Sequence, residues 1–491
     1  MNILTLDVGT SGMKGILYDP AGRELYKETV SYRPETPESG IAEQEPESFL
    51  RAMLRICAGL REQADGGGYT IDAISTTCQR SSIIPLGKDR KPLTKTIMWQ
   101  DTRNREIAEE LKRYQELIGA RSGARLNTVY TGTKITWLKR NRRTLYDQTY
   151  KIVTIADYLH FQLTGKLVTD ETYGSRSLLM NIHSRQWDPE LLALFETEED
   201  KLCPLLPPGS VIGVLCDEFA AAAGLRSGIP VISAGGDQQC GALGQGVLSE
   251  GSLEITVGTG AFMLMYSGQV CDVTSSGLVC GAHAVPGAYV LESSMLTCAA
   301  LYNWAAEKLL QESGDFEKLN QEVAASVPGA GGCIALPYFQ GRGTPDWNGY
   351  ARGGFFGVQL GTTRGDLVRA LLESIACEVR NTLLLMQESA GKTTQAAVGG
   401  GLTKQPVFCQ LLSDAADLPL LLEEGKAETT ARGAWMSAAV TLGLYADYEK
   451  AYRGAVRNTG FKGYQPDLEK HLLYEEKRKE MNRIYRLLYE H

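Results

Sequence analysis

The first strand of the sequence ends in a turn whose residue types suit phosphate and metal binding. Within residues 4–14, a largely apolar run reaches Asp7. A glycine, two hydroxyl residues and a lysine come after it. Backbone N–H groups and hydroxyls in such a turn can hold phosphate oxygens, and the carboxylate can hold a magnesium ion. An ordinary tight turn has the same residue types. The turn alone therefore leaves a nucleotide-using enzyme and a structural turn as alternatives.

A second acid, Asp237, stands where an apolar strand at residues 230–234 gives way to a small-residue helix, in the sequence Gly-Gly-Asp-Gln-Gln. A carboxylate at that position can face a cleft and accept a proton from a bound hydroxyl. Phosphoryl transfer to an alcohol needs such a base, together with magnesium and a phosphate cradle. Aspartate is also favoured as a helix N-cap, and the two roles can coexist.

A third cluster follows the predicted strand at residues 71–77. It contains Gln79, Arg80 and Ser81, and Trp99 and Asp101 lie further along the chain. A polyol pocket needs a few directed polar groups beside an apolar wall. Gln79, Arg80 and Asp101 can supply the polar contacts, and Trp99 can supply the wall. A structural tryptophan and a surface Arg–Asp pair are the alternative interpretation.

These residues need a scaffold, and the sequence indicates one built from two related halves. Residues 252–260 repeat the pattern of a strand that runs into a Gly/Thr turn, and a third turn, residues 399–401, is triple glycine. No G-x-x-x-x-G-K-[ST] or G-x-G-x-x-G motif is present at a strand–helix junction. A nucleotide site must therefore be assembled from split turns, each half offering one turn to a shared cleft.

Strands and helices alternate along the chain, which predicts an α/β fold. The clearest helical patterns cover residues 46–61, 296–310, 367–386, 429–442 and 468–490. The length of 491 residues predicts two large domains or three of typical size.

Composition excludes several classes of function. The net charge of −8 argues against non-specific binding to nucleic acid, which needs a basic surface. The eleven cysteines form no C-x-x-C pair, and the five histidines form no H-E-x-x-H motif, so zinc ligation is not expected. The scattered cysteines indicate reduced thiols in a cytoplasmic protein. The N-terminal strand contains an acid, unlike a signal peptide, and no apolar run is long enough to span a membrane.

Two longer motifs resemble those of the FGGY carbohydrate kinases, and the resemblance covers residues 3–445. Residues 353–358 followed by residues 366–373 match the C-terminal signature of that family. The N-terminal signature fits at Thr131, Lys134, Ile135 and Trp137, whereas Val129 departs from it. The turn at residues 7–14 also resembles the first phosphate motif of the family.

The resemblance implies two ribonuclease-H-like domains of the actin and hexokinase type, with ATP and a sugar in the cleft between them. We place the N-terminal domain at residues 1–246, the C-terminal domain at 247–446, and a helical extension packed on the second domain at 447–491. Asp237 is implied as the general base, and Asp7 and Asp237 as magnesium ligands. The resemblance assigns nine residues to ATP: Asp7, Thr10, Ser11, Lys14, Gly258, Thr259, Asn303, Gly400 and Gly401.

The acceptor is implied less directly. The segments at residues 97–101, 236–246 and 257–264 are most similar to glycerol kinases, in which Trp99 and Phe262 would flank the acceptor carbons. Gln238 lies in the second of these segments, and the similarity implies that it contacts the acceptor. However, Ser81 and Val129 stand where glycerol kinases have a glutamate and a tyrosine. Each lost contact to a buried or charged group is worth about 1.5–3 kcal/mol, and the smaller side chains leave more room.

The sequence therefore predicts an ATP- and Mg²⁺-dependent kinase that phosphorylates a primary hydroxyl of a ketopentose such as xylulose or of a longer polyol, with glycerol as the alternative acceptor. The family resemblance implies a homodimer or homotetramer. Two rival hypotheses are an actin-like or chaperone-like ATPase and a non-catalytic sugar sensor. The presence of Gln79, Arg80, Trp99 and Asp237 favours a sugar kinase over both.

Overall fold

The computed structural model describes residues 1–309, 316–425 and 428–490. Its strands are β1 (Ile3–Val8), β2 (Gly12–Tyr18), β3 (Glu24–Ser31), β4 (Glu43–Gln44), β5 (Ala73–Cys78), β6 (Ile83–Leu86), β7 (Thr96–Ile97), β8 (Lys151–Thr154), β9 (Thr169–Asp170), β10 (Met180–Asn181), β11 (Gln186–Trp187), β12 (Leu205–Leu206), β13 (Val211–Val214), β14 (Pro230–Gly236), β15 (Ser252–Val257), β16 (Ala261–Ser267), β17 (Val279–Ala282), β18 (Tyr289–Met295), β19 (Ile334–Leu336), β20 (Gly354–Phe356), β21 (Gln395–Gly399), β22 (Leu420–Glu423) and β23 (Phe461–Tyr464).

The α-helices are α1 (Pro46–Gly66), α2 (Arg105–Leu111), α3 (Gln115–Ser122), α4 (Thr131–Asn141), α5 (Arg143–Gln148), α6 (Ile155–Thr164), α7 (Glu171–Gly174), α8 (Pro189–Leu194), α9 (Asp217–Ala223), α10 (Asp237–Gly244), α11 (Ala299–Trp304), α12 (Phe316–Ala325), α13 (Arg364–Ala390), α14 (Phe408–Ala416), α15 (Thr429–Thr441), α16 (Tyr448–Ala455) and α17 (Leu468–Tyr489). The predicted helix at 296–310 is shorter: α11 continues as a π-helical turn, Ala305–Leu309, and residue 310 lies outside the described residues.

Local sequence signals explain where several of these helices begin and end. The side chain of Thr154 accepts a hydrogen bond from the backbone of Asp157, and the Asp157 carboxylate reciprocates at the start of α6. Thr363 and Asp366 form the same capping box before α13. Both boxes satisfy backbone N–H groups that a helix N-terminus otherwise leaves unpaired. The left-handed Gly165 ends α6, as is common at helix C-termini.

The two large sheets repeat one topology. The first has the order β3-β2-β1-β5-β14-β13, in which β1 is antiparallel to β2 and parallel to β5. The second has the order β17-β18-β16-β15-β21-β22-β23, in which β15 is antiparallel to β16 and parallel to β21. β1 and β15 thus occupy equivalent positions, and so do the turns that follow them. The predicted α/β fold with two related domains is confirmed by this match.

Helix α15 joins the two halves. It belongs to the second half of the chain, yet Trp435 and Ala431 pack in one apolar cluster with Ile3 and Ile232 of the first sheet. The backbones of α15 and α10 are in direct contact at Gly433. A Cβ added there would lie 1.9 Å from the carbonyl oxygen of Cys240. The sequence places this helix in the second domain, and the structure shows that its apolar face covers the first.

The chain after α15 is not purely helical, although the sequence predicts a helical extension. β23 pairs antiparallel with β22 and forms one edge of the second sheet. α17 packs against that domain through Tyr474, which lies in its main apolar core with Leu371 of α13 and Leu412 of α14. Among the described helices, none combines the length and the apolar character needed to cross a membrane.

Candidate functional site

The turn between β1 and β2 is held by side chains from two neighbouring segments. The Gln79 amide donates to the carbonyl of Gly9 (3.1 Å), and the Trp99 indole N–H donates to the hydroxyl of Thr10 (3.0 Å). The Tyr32 hydroxyl also donates to Gly9 (2.9 Å). Ser11 at the tip of the turn is exposed. The structure therefore joins the predicted phosphate turn to the predicted acceptor residues Gln79 and Trp99.

Asp7 lies at the mouth of this turn, and its carboxyl group is electrostatically unusual. Burial and the nearby charge of Asp237 raise its pKa from 3.8 to about 7, against an opposing effect of Lys14. The Lys14 ammonium is itself paired with Glu428, which also binds Lys27. Lys14 therefore lies opposite Asp7 in the β1–β2 pair, but its ammonium group points to Glu428, the residue that precedes α15.

Asp237 lies at the junction between β14 and α10, in a network of charged side chains. Its Oδ1 is 3.5 Å from Nε of Arg80, and Nη1 of Arg80 donates to Glu292 (2.8 Å) and to Gln239 (3.2 Å). Burial raises the pKa of Asp237, and Arg80 partly opposes that rise. Burial also disfavours ionisation of Glu292, but Arg176 and Arg80 outweigh it and hold the Glu292 pKa below its ordinary value.

In the second domain, the turn after β15 lies against the triple-glycine loop at residues 399–401. The carbonyls of Gly258 and Thr259 accept hydrogen bonds from Ala299 (2.8 Å) and Cys298 (2.7 Å) at the start of α11. Gly400 has φ +101°, and a Cβ there would lie 2.6 Å from the backbone of Val257. Only glycine fits this close approach without strain.

Two other predicted nucleotide residues lie beside these elements. A Cβ on Gly401 would meet open space. Asn303 is exposed on α11, the helix whose first residues bind the turn. The residues predicted to bind ATP are therefore distributed over both turns, the glycine loop and α11.

The remaining predicted acceptor residues lie on both halves of the chain, with Trp99 and Gln238 in the first and Phe262 in the second. Trp99 and Phe262 keep 37% and 39% of their surface exposed, which is unusual for large aromatic side chains. Phe262 and Leu264 are two residues apart on β16, so their side chains lie on the same face of the second sheet. Leu264 pairs with Glu292 of β18, which places Glu292 on that face as well. Gln238 follows Asp237 and donates its backbone N–H to that carboxylate (2.8 Å).

Asp101 takes a position that differs from the predicted one. It is fully buried, and its carboxylate accepts hydrogen bonds from the backbone of Ala42 (2.7 Å) and from the guanidinium of Arg103 (2.8 Å). These contacts brace the loop that carries Trp99. The structure therefore gives Asp101 a supporting position behind the acceptor wall and no exposed surface for a ligand.

Three residues of the network escaped the sequence analysis: Glu292, Arg176 and Tyr130. Glu292 could have been found as an acid inside the apolar strand β18. Arg176 lies in the loop after α7 and Tyr130 directly before α4, where no local pattern distinguishes them from surface residues. Their positions depend on the packing of distant segments.

No group of three or more metal-ligating side chains occurs within residues 1–309, 316–425 and 428–490. A metal ion held by protein and substrate together needs fewer, and Mg²⁺ is commonly bound by one or two carboxylates with phosphates and waters. The mutual repulsion of Asp7 and Asp237 fits such an ion, because a cation between them would relieve it.

Two repeated domains, each with a phosphate-type turn at the equivalent sheet position, define the two-domain ATPase fold of actin and hexokinase. Comparison with known protein families identifies the family within this fold class. Sequence profiles described as the FGGY family of carbohydrate kinases, N-terminal domain and C-terminal domain, match residues 2–244 and 253–442. The chain belongs to this family, as its motifs predict, and is an ATP-dependent carbohydrate kinase.

Individual relatives carry different substrate names. A glycerol kinase of Koribacter versatilis is 33% identical over 460 residues, covering 91% of this chain and 90% of the relative. The solved xylulose kinase of Lactobacillus acidophilus is 25% identical with a TM-score of 0.92, covering 99% of this chain and 98% of the other. The glycerol kinase of Plasmodium falciparum is 26% identical with a TM-score of 0.90, covering 99% and 97%.

Proposed function

We propose that this kinase transfers the γ-phosphoryl group of ATP to a primary hydroxyl of a short acyclic polyol or sugar. The observation that carries the proposal is the position of Asp237, which faces Arg80 where the two domains meet. A carboxylate with a raised pKa is a stronger base than one in water, and the Asp237 side chain keeps 29% of its surface exposed, so an acceptor hydroxyl can reach it.

In the proposed reaction, the acceptor oxygen forms a bond to the γ-phosphorus while the bond from that phosphorus to the β–γ bridging oxygen breaks. The hydroxyl proton passes to a carboxylate oxygen of Asp237, and ADP leaves. Arg80 lies beside Asp237 and partly opposes the rise of its pKa, which favours the ionised carboxylate that can accept the proton. Closure of the two domains would exclude water that could otherwise accept the phosphoryl group.

Asp7 and Asp237 are the residues that would hold Mg²⁺ in this proposal. When bound, the ion neutralises charge on the phosphate oxygens. The turns at Thr10 and Gly258 would contact the phosphates through backbone N–H groups and hydroxyls, and Gly400 would let the nucleotide approach the backbone.

Glycerol is the first acceptor we propose. Two relatives named glycerol kinase, one at 33% identity and one solved structure at 26%, match nearly the whole chain. This support favours glycerol over the ketopentose that the sequence reasoning places first. Trp99 and Phe262 supply aromatic surface suited to the carbon chain of a small polyol.

A ketopentose or longer polyol is the second candidate, favoured by two positions. The Ser81 hydroxyl donates to the carbonyl of Arg176 (2.9 Å), and the Val129 side chain packs against an apolar cluster. Neither residue directs a charged group at an acceptor, and both are small. The similarity to a xylulose kinase also supports this candidate.

The test is a coupled assay of ADP release with ATP, Mg²⁺ and a panel of glycerol, erythritol, xylulose, ribulose and gluconate, with the phosphorylated product identified by mass spectrometry. We expect acceptor-dependent turnover with glycerol highest. Turnover with xylulose and none with glycerol would select the second candidate. ATP hydrolysis that no acceptor stimulates would instead support a conformational ATPase and contradict the proposal.

A further inference from the structure

The guanidinium of Arg176, in the charge network around Arg80 and Glu292, has two unpaired nitrogens. Nε and Nη1 are buried and make no hydrogen bond within the described residues. Its nearest acidic partner is Glu292, whose Oε2 lies 3.6 Å from Nη1, too far for a normal hydrogen bond. Burial of two guanidinium N–H groups without hydrogen bonds is costly, and a ligand oxygen at this position would satisfy them.

Tyr130 lies against this guanidinium. The centre of its ring is 4.9 Å from the guanidinium carbon of Arg176, a distance at which a cation and an aromatic face attract each other. Burial raises the pKa of the phenol, and its charged neighbours are Arg176, Glu292 and Arg80. The hydroxyl donates no hydrogen bond to any residue in the part of the chain that the structure describes. Two unused polar groups thus stand side by side.

These groups are connected to the proposed base through one network. Arg80 contacts Asp237 through Nε and Glu292 through Nη1, and the other oxygen of Glu292 faces Arg176. Arg176 also acts on the charge of Asp237. Arg176 and Tyr130 are therefore linked to Asp237 through Glu292 and Arg80.

The charged side chains around Arg176 indicate whether the ligand is anionic or uncharged. The guanidinium groups of Arg80 and Arg176 both face the carboxylate of Glu292, and Arg80 also faces that of Asp237. An anionic sugar acid would add a negative charge beside the carboxyl groups of Glu292, Asp237 and Asp7, whereas an uncharged polyhydroxylated chain would not. Guanidinium N–H groups donate only, so the group they bind must be an oxygen that can accept.

We propose that Arg176 and Tyr130 are the acceptor-recognition pair of this kinase, and that they bind a hydroxyl or carbonyl oxygen of an uncharged acceptor at a carbon remote from the one phosphorylated. This inference rests on the proposed function and adds the residues that determine which acceptor is accepted. Tyr130 takes over the hydrogen-bonding role that its neighbour Val129 lacks.

The test measures how strongly the enzyme distinguishes its best acceptor from the analogue that lacks one remote hydroxyl, such as glycerol from propane-1,2-diol. The wild type should favour the complete acceptor in kcat/KM by roughly 10- to 100-fold. Arg176→Met should reduce that preference to about 2-fold or less and leave the KM for ATP unchanged. Tyr130→Phe, which keeps the ring, should give an intermediate loss.

Arg185→Met is the matched control. Arg185 also pairs with a glutamate, Glu171 (2.6 Å), and stacks on a tyrosine, Tyr289 (4.2 Å), with similar burial, but its donors are hydrogen-bonded within the protein. It should keep the preference of the wild type. If Arg176→Met does not fold, as shown by its melting curve, Tyr130→Phe decides.

An unchanged preference in both Arg176→Met and Tyr130→Phe, with normal turnover, would overturn the inference while the kinase assignment stands. If the wild type phosphorylates no acceptor at all, the proposed function fails and the recognition pair fails with it. The two failures are therefore distinguished by the wild-type assay alone.

Discussion

Asp7→Asn should stabilise the unliganded protein at pH 8 while it impairs phosphoryl transfer. The pKa of Asp7 rises from 3.8 to about 7 on folding, so the folded chain binds more protons than the unfolded chain between these values. Its contribution to stability therefore falls as the pH rises through this window. Three pH units at about 1.4 kcal/mol each set an upper limit of about 4 kcal/mol. Because Asp7 is partly exposed, we expect roughly half of that.

The assay is thermal unfolding of wild type and variant at pH 5 and pH 8 without nucleotide or Mg²⁺. A gain of about 2 kcal/mol corresponds to roughly 4–8 °C in Tm for a domain of this size. The gain should shrink at pH 5, where Asp7 is protonated in the folded wild type. Equal or lower stability of Asp7→Asn at pH 8, or a gain independent of pH, would refute the reasoning.

Asp19→Asn is the control of opposite sign. Burial opposes ionisation of Asp19, but hydrogen bonds from Arg23 and Ala21 outweigh it and hold its pKa below the ordinary value. The stabilising contribution of this carboxylate is present above its unfolded pKa and is lost in acid. Asp19→Asn should therefore destabilise the protein at pH 8, where Asp7→Asn stabilises it.

Three further changes have defined outcomes. Gly400→Ala should cost about 2–4 kcal/mol in chemical unfolding and raise the KM for ATP, because its Cβ would meet the backbone of Val257 at 2.6 Å; normal values for both would contradict the close approach. Lys134→Met should raise the KM for the acceptor and not that for ATP, because the Lys134 ammonium binds two carbonyls of the loop before α4. Burial lowers its pKa from 10.5 to about 7, so wild-type stability should gain a contribution as the pH rises through that window, and melting curves of the variant should lack it. Glu254→Gln should stabilise the protein most above pH 8, because burial raises the pKa of Glu254 from 4.5 to about 8; a pH-independent difference in Tm would exclude this cause.

The repeated architecture could be predicted from the sequence because its signals are local. The turns after β1 and β15 share a pattern of strand, glycine and hydroxyl residue, and the matched strand orders confirm that the halves are related. The family could be predicted for the same reason, since its signatures are continuous stretches of sequence. β23 is short and lies between helices, so its pairing with β22 could not be read from periodicity.

The candidate site was only partly predictable, because its charge network joins distant segments. Asp237 and Arg80 have local context as residues at strand ends, whereas the pairing of Arg80 with Glu292 spans 212 positions. Asp101 illustrates the opposite error. Its polar type suggested a ligand contact, but folding surrounds it with Ala42 and Arg103. Residue type shows what a side chain can do, and only packing shows what it faces.

The most direct test of the central claim is the acceptor-dependent ADP release of Asp237→Asn beside that of the wild type, with saturating ATP, Mg²⁺ and the best acceptor. Folding and acceptor binding are checked by melting curves and calorimetry. If Asp237 is the base in a sugar kinase, turnover should fall by about 10²-fold or more while acceptor binding persists. Turnover close to that of the wild type in a folded variant would contradict the account.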